Sequence, residues 1–365
     1  VSCDATDGVV DDRNLYWYKP PADALAFSDF TQGADNGLKF IDMRLVDWDD
    51  DEQWDAFLDQ LTVADMTALM PDTFGVAGLD KIGMPAQKRA DDCLGVGSAM
   101  IATGDKCLSW VSEVMTARTW NRDRMERKGS LMAIQAAYAG LTEVWYGGGN
   151  THRTPFGGRN QQYYSEDASY GYMVGTVEAA AMQANGVNYC IKRFAMNDQE
   201  SGRESLNTFA TEQTVREAYL RAFEGAFVEG GAQSTMTAFN RIGVVYCAAN
   251  LPLLNNVLRG EWGFLGFVET DYFGVYGYMT ADQAVRNGGD LMLCTTGNDY
   301  NNVTVLTNSS KQAMRTSAKN ILYTVVNSRA YEAENLHPGM ATWKVILIGA
   351  DVVAALPLVG LESTA

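Results

Sequence analysis

The chain has 365 residues, with 28 Lys and Arg against 45 Asp and Glu, a net charge of −17, and 47% apolar residues. That length holds a single α/β barrel of about 250 residues with room for extensions. The acidic balance excludes a nucleic-acid or anionic-membrane-surface partner, since both need clustered Lys and Arg. It fits a neutral substrate and an extracellular protein, and the 8 Trp and 17 Tyr suit carbohydrate recognition as well as an ordinary large core.

Residues 1 to about 40 read as an irregular extension, rich in Asp, Gly and Pro and punctuated by aromatics in "NLYWYKPP". From Trp48 onward "DWDDDEQWDAFLDQLTVADMTALM" predicts a pair of helices. Its acidic start complements a helix N-terminus, and Trp54, Phe57, Leu58 and Leu61 recur at helical spacing. Strand-like runs follow at 142–147, 187–194, 234–239, 266–272 and 290–294. Helix candidates lie near 171–185, 211–230, 252–261, 280–287 and 311–328. Strands alternating with helices predict βα units and a parallel sheet. No G-x-G-x-x-G follows a strand, which favours a barrel over a dinucleotide-binding fold. The alternation stops near residue 330.

The six cysteines, at 3, 93, 107, 190, 247 and 294, include no C-x-x-C pair, and the only histidines are His152 and His337. The spacing therefore offers no zinc motif, and nothing calls for a cofactor. Cys190 and Cys294 sit in apolar runs and read as buried thiols. Cys93 and Cys107 are close enough in sequence for a local disulfide in an oxidising compartment, or stay as thiols. Near the C-terminus "VILIGADVVAALPLVGL" (Val345 to Leu361) is apolar except for Asp351. Seventeen residues is the short limit of a membrane span. With Trp343-Lys344 at its edge the segment reads as a membrane anchor, 343–361, and the alternative is a helix buried against a partner.

In a βα barrel the reacting groups gather where strands end and loops begin. At those positions the sequence supplies Asp91 in "KRADDCLGVG", Arg153 and Arg159 after 142–147, Lys192-Arg193 ending "VNYCIKRF", Met236, Phe239 and Asn240 after 234, and Asp271-Tyr272 ending "GFVETDY". Carboxylates and cations beside aromatic faces suit a sugar, binding its hydroxyls and covering its C–H face.

Four ordered stretches carry a resemblance: "NTHRTPFGGRNQQYYSED", "IKRFAMNDQESGRE", "NTFATEQTVREAYLRAFEGAFVEGGAQSTMTAFNRIG" and "NNVLRGEWGFLGFVETDYFG". Together they resemble the catalytic barrel of glycoside hydrolase family 3, the branch of β-glucosidases, over roughly residues 40 to 330. The resemblance implies a TIM-type (β/α)8 barrel, here irregular and without the usual complete second sandwich domain. Its domain layout is an extension or remnant at 1–40, the barrel at 41–330 and a tail at 331–365. It implies a retaining exo-β-glycosidase that removes the nonreducing-end sugar of a β-glycoside through a covalent intermediate on Asp271. It further implies that Asp91, Arg159, Lys192 and the residue at 193 hold that sugar, with Met236 and Tyr272 lining its pocket. Glu166-Asp167 and Glu200-Arg203 read instead as pairs that brace loops.

The departures are specific. Arg193 stands where the family usually has histidine, Asp91-Asp92-Cys93 replaces an Asp-Gly-Pro or Asp-Ser-Pro turn, Gln161-Gln162 replaces Phe-Glu, and Phe239 replaces tyrosine. Arginine is longer and always charged, so it either fills the sugar subsite or turns away from it. The general acid of the glucosidase branch comes from a following domain, and only 35 residues follow position 330. Two readings therefore stand: a glycosidase at the cell surface or outside the cell, whose acid/base comes from a missing or partner domain or from a carboxylate not yet assigned, and a catalytically impaired sugar-binding or structural barrel in a surface assembly.

Overall fold

The computed structural model describes residues 30–91, 93–96, 107–204, 206–272, 279–294, 302–303 and 306–332. Most of the N-terminal extension, Cys3, His337 and the apolar stretch at 345–361 lie outside these residues. Among the described residues no helix is long and apolar enough to cross a membrane.

The helical pair after Trp48 is present. Helix α1 (Asp51–Leu58) is capped by Asp50, which accepts from Gln53 N at 3.1 Å, and Asp51 and Glu52 in its first turn meet the positive helix end. Helix α2 (Val63–Leu69) opens on a capping box: Asp65 N donates to Thr62 Oγ1, while Asp65 Oδ2 accepts from Thr62 N at 2.8 Å. Both bury their apolar stripe, Trp54, Phe57 and Leu58 from one and Met66 and Leu69 from the other.

Five strands, β2 (Arg89–Asp91), β3 (Glu143–Gly148), β4 (Asn188–Phe194), β6 (Ser234–Thr237) and β9 (Phe267–Glu269), form a parallel sheet in that order. β1 (Pro71–Asp72) pairs in parallel with β10 (Met292–Leu293), and a parallel bridge between Glu269 and Leu291 joins that pair to β9. Just beyond β1 the chain turns back on the segment leading into β2, with Arg89 N donating to Phe74 O at 2.9 Å and Gln87 N to Val76 O at 2.8 Å. Backbone contacts thus run in a closed circuit. The irregularity expected of the barrel lies here: among the described residues seven of its strands are present, and the first crossover is a short antiparallel return without an α-helix. A minor sheet of β5 (Asn207–Thr208), β7 (Arg241–Ile242) and β8 (Val245–Tyr246) lies in the loops.

Helices flank the strands, those after residue 167 where the periodicity predicts them. They are α3 (Glu113–Ala117), α4 (Arg122–Tyr138), α5 (Ala168–Gln183), α6 (Glu212–Thr214) running through a π-helical segment Val215–Leu220 into α7 (Arg221–Val228), then the π-helical segment Pro252–Glu261, α8 (Ala281–Arg286) and α9 (Asn308–Val326). α4 was not anticipated, because its first two turns, "RDRMERK", are charged and obscure a stripe of Met125, Met132, Ala133, Ala136 and Ala137. α5 and α7 approach closely through small residues. A Cβ at Gly225 would stand 2.4 Å from Tyr172 O, so only glycine fits there.

Two large apolar clusters fill the space between strands and helices. One joins Val144, Ile191 and Val268 to Phe194, Phe223, Leu254 and Val257; the other joins Phe57, Leu69 and Phe267 to Ile321, Leu322 and Val325. Each such side chain contributes roughly 1.5–3 kcal/mol by burial. A smaller cluster of Trp145, Cys190, Met236 and Leu293, with Phe74 and Tyr272 packed against it, comes from alternate positions that face inward along their strands. It plugs the barrel beneath the strand ends. Cys93 and Cys107 are not joined to each other by a disulfide.

Candidate active site

The strand ends bring together four charged side chains that are far apart in sequence. Asp91 closes β2, Lys192 and Arg193 lie near the end of β4, and Asp271 follows β9 by two residues. The Lys192 ammonium donates to Asp91, and the Arg193 guanidinium donates through Nε to Asp271. Lys192, Arg193 and Asp271 are all buried. In a regular strand consecutive side chains point to opposite faces. The β4 ladder shifts register against β6 between Lys192 and Phe194, and this irregularity accompanies the convergence of both cations on the site.

Each partner is fixed in turn. Asn150 Oδ1, just beyond β3, accepts from Arg193 N at 2.9 Å. Asp271 Oδ1 accepts from Tyr272 N at 2.7 Å, so both carboxylate oxygens are engaged. Burial alone would push the Asp91 carboxyl up, but the charges of Lys192 and Arg193 outweigh it and hold the group below its usual range. Asp91 is therefore ionised at neutral pH and suits hydroxyl binding, not proton donation.

The loop after β3 forms the far wall. Arg159 Nη1 donates to Gln162 Oε1 at 3.0 Å, and Arg193 Nη1 reaches the same oxygen at 3.3 Å. Glu200 forms an ion pair with Arg159, Nε lying 2.8 Å away, and accepts a hydrogen bond from Arg203 Nη1 at 2.8 Å. The expected Glu200–Arg203 brace is therefore present, but Glu200 also holds Arg159, a role that the spacing does not disclose. Asp167 caps α5 by accepting from Ser169 N at 2.8 Å and Tyr170 N at 3.0 Å, which fixes where the loop ends. Glu166 lies 3.9 Å from His152 at the surface. Met236 and Tyr272 adjoin Trp145 in the inward-facing cluster, and Phe74 packs on Trp145 with ring centroids 5.5 Å apart.

The sequence reading of Asp91, Lys192, Arg193, Asp271, Met236 and Tyr272 as one site matches this arrangement, and Arg159 joins it through Gln162. Arg193 turns towards Asp271 and pairs with it. The reading missed Asn150, Trp145 and Phe74: an asparagine in a loop and aromatics in apolar runs carry no signal until the strands are in register.

Asp198, on the loop beyond β4, is distinct from the four. Burial pushes its carboxyl up to about 7, only partly opposed by Arg153, and its Oδ1 has no hydrogen-bond partner among the described residues. A carboxyl raised in the folded state contributes stability that is full below its unfolded value and lost as pH rises through the folded one. Melting temperature should therefore fall as pH rises from about 4 to about 7, and Asp198→Asn should flatten that slope in a thermal scan across pH; an unchanged slope assigns the effect elsewhere.

The model of the glycosyl hydrolase family 3 N-terminal domain matches residues 82–321. A β-glucosidase of Rhizobium radiobacter is 30% identical over 240 residues, 65% of this chain and 29% of that protein. Thermostable β-glucosidase B of Acetivibrio thermocellus is 34% identical over 159 residues, 44% of this chain and 21% of its own length. Among solved structures, β-glucosidase 3B of Thermotoga neapolitana in complex with glucose superposes with a TM-score of 0.69 at 28% identity, covering 78% of this chain and 44% of that one. The chain thus spans less than a third of the length of these curated relatives.

Proposed function

The chain belongs to glycosyl hydrolase family 3, and from that premise we propose that it is the barrel part of a retaining exo-β-glycosidase of the β-glucosidase type with Asp271 as nucleophile. The observation that carries this reading is the place of Asp271: a buried carboxylate at the end of a barrel strand, oriented by Arg193 and Tyr272 N, and close to the Asp91–Lys192 pair. In the first step an Asp271 oxygen bonds to the anomeric carbon as the glycosidic C–O bond breaks, and the departing oxygen takes a proton from an acid. In the second step water, deprotonated by the same group, displaces Asp271 and restores the carboxylate. Asp91 and Lys192 bind sugar hydroxyls as acceptor and donor, Arg159 donates from the loop, and Trp145, Met236 and Tyr272 supply the apolar side. The proton donor is assigned to a domain or partner outside these residues. A location outside the cell or at its surface is kept as part of this proposal, supported by the acidic, aromatic-rich composition and the apolar stretch at 345–361.

One observation favours the second reading, a barrel that binds sugar without turning it over. Arg193 satisfies one oxygen of Asp271 while the backbone takes the other, which lowers the nucleophilicity of the carboxylate. An aryl β-glucoside with a good leaving group separates the two, because it leaves without a general acid. Mass spectrometry of the digested protein should find a glycosyl adduct on Asp271, and Arg193→His should raise the rate of its formation by about tenfold, the effect of roughly 1.4 kcal/mol. Binding of glucose without an adduct in either protein leaves the non-catalytic reading standing.

A further inference from the structure

Beneath the charged site, inside the barrel, lies a second group of ionisable side chains for which the glycosidase chemistry has no use. Cys190 and Glu269 precede Lys192 and Asp271 by two residues, so they share the inward faces of β4 and β9 one layer deeper. Glu143 opens β3 beside them. A carboxylate oxygen of Glu143, the Cys190 sulfur and a carboxylate oxygen of Glu269 all lie within 4.8 Å of one another, and all three residues are 1% exposed or less.

The carboxylates are not otherwise provided for. None of their four oxygens closes a hydrogen bond of full geometry among the described residues, although Ser234, Trp145 and Cys190 approach Glu143, and Trp145 approaches Glu269, as donors. Arg89 is the cation in reach, but it is paired with Asp72 and stands 3.5 Å from Glu143. Two buried carboxylates therefore share part of one guanidinium, an arrangement that is costly for charged groups in a dry interior. Either protons or a cation must balance the cluster. The geometric feature that points to a cation is the third donor: a sulfur converges on the same point as two carboxylate oxygens and completes a ligand set.

We propose that Glu143, Cys190 and Glu269 form a buried site for one divalent transition-metal ion of the zinc class. Two carboxylates and a thiolate match such borderline ions and do not match Mg2+ or Ca2+, which take oxygen ligands. Donor separations up to 4.8 Å need only a small inward movement to reach tetrahedral bonds of about 2.0–2.3 Å. Binding releases the protons held by the ligands. The ion ties β3, β4 and β9 together under Asp271 and touches no sugar. Spacing in the sequence does not disclose such a site because its ligands come singly from three strands.

The test uses the full chain, unfolded and refolded with chelator, with Zn2+ or with Co2+, so that burial does not bar entry. One Zn2+ per chain after dialysis, a melting temperature several degrees above that of the chelated protein, and a thiolate-to-Co2+ charge-transfer band in the near ultraviolet are expected. Cys190→Ser should lose the band, and the double substitution Glu143→Gln with Glu269→Gln should lose both the metal and its stabilisation. If the double variant fails to fold, the band in wild type and its loss in Cys190→Ser decide. Folded wild type with no stoichiometric metal, or a Co2+ band that persists in Cys190→Ser, overturns the proposal.

Discussion

Asp271→Ala should lower kcat on an activated aryl β-glucoside by roughly 10^4-fold or more, the scale seen when a covalent nucleophile is removed. No other carboxylate takes its place: Asp91 is held by Lys192, and Glu200 by Arg159 and Arg203. Azide should restore part of the rate in this variant by entering the space left by the carboxylate and attacking the same face of the anomeric carbon. The glycosyl azide formed would have inverted configuration, which product analysis by NMR reads directly. The substitution also strands the Arg193 guanidinium, so the melting temperature must be measured beside the rate. A folded Asp271→Ala protein with wild-type turnover would remove Asp271 from the mechanism.

The second large effect is on stability. Arg89→Met should cost about 3–5 kcal/mol, the scale for breaking a buried ion pair by removing one partner. Arg89 is paired with Asp72, stands 3.5 Å from Glu143 and lies over the Phe267 ring at 4.7 Å. Methionine keeps much of the packing but leaves Asp72 without its partner and removes the guanidinium beside Glu143. Since native domains hold only about 5–15 kcal/mol in reserve, the loss should appear as a large drop in the urea midpoint, or as failure to fold at 37 °C. Acid should narrow the gap between variant and wild type, because burial already favours the protonated form of Glu143 and Glu269. A midpoint within a few tenths molar of wild type would show that Arg89 is replaceable.

How much of this was legible beforehand depends on the range of the forces involved. The strands at 143–148, 188–194 and 267–269 and the helices at 168–183 and 308–326 follow from periodicity in their own residues, and the sequence places them within a few positions. The two-residue strand at Pro71 and the return at 74–89 have too few residues to carry a period, and tertiary pairing alone defines them. At the site, Asp91, Lys192 and Asp271 were legible because they stand at strand ends within quoted motifs. The bond from Arg159 to Glu200 and the approach of Glu143 to Glu269 were not, since each depends on which strands become neighbours.

The register shift at the end of β4 has a consequence beyond the chemistry of this chain. Because the backbone there departs from the regular ladder, position 193 contributes its side chain to the site while the strands on either side are fixed by Ile191 and Phe194 in the core. An exchange at 193 therefore alters what the site recognises without touching the core contacts of Ile191 and Phe194, and its expense falls on the ion pair with Asp271. Such a position can be sampled by mutation while the barrel stays intact, and an arginine in place of histidine is the kind of step by which a lineage tries a new specificity, or retires an old activity, before committing the rest of its sequence.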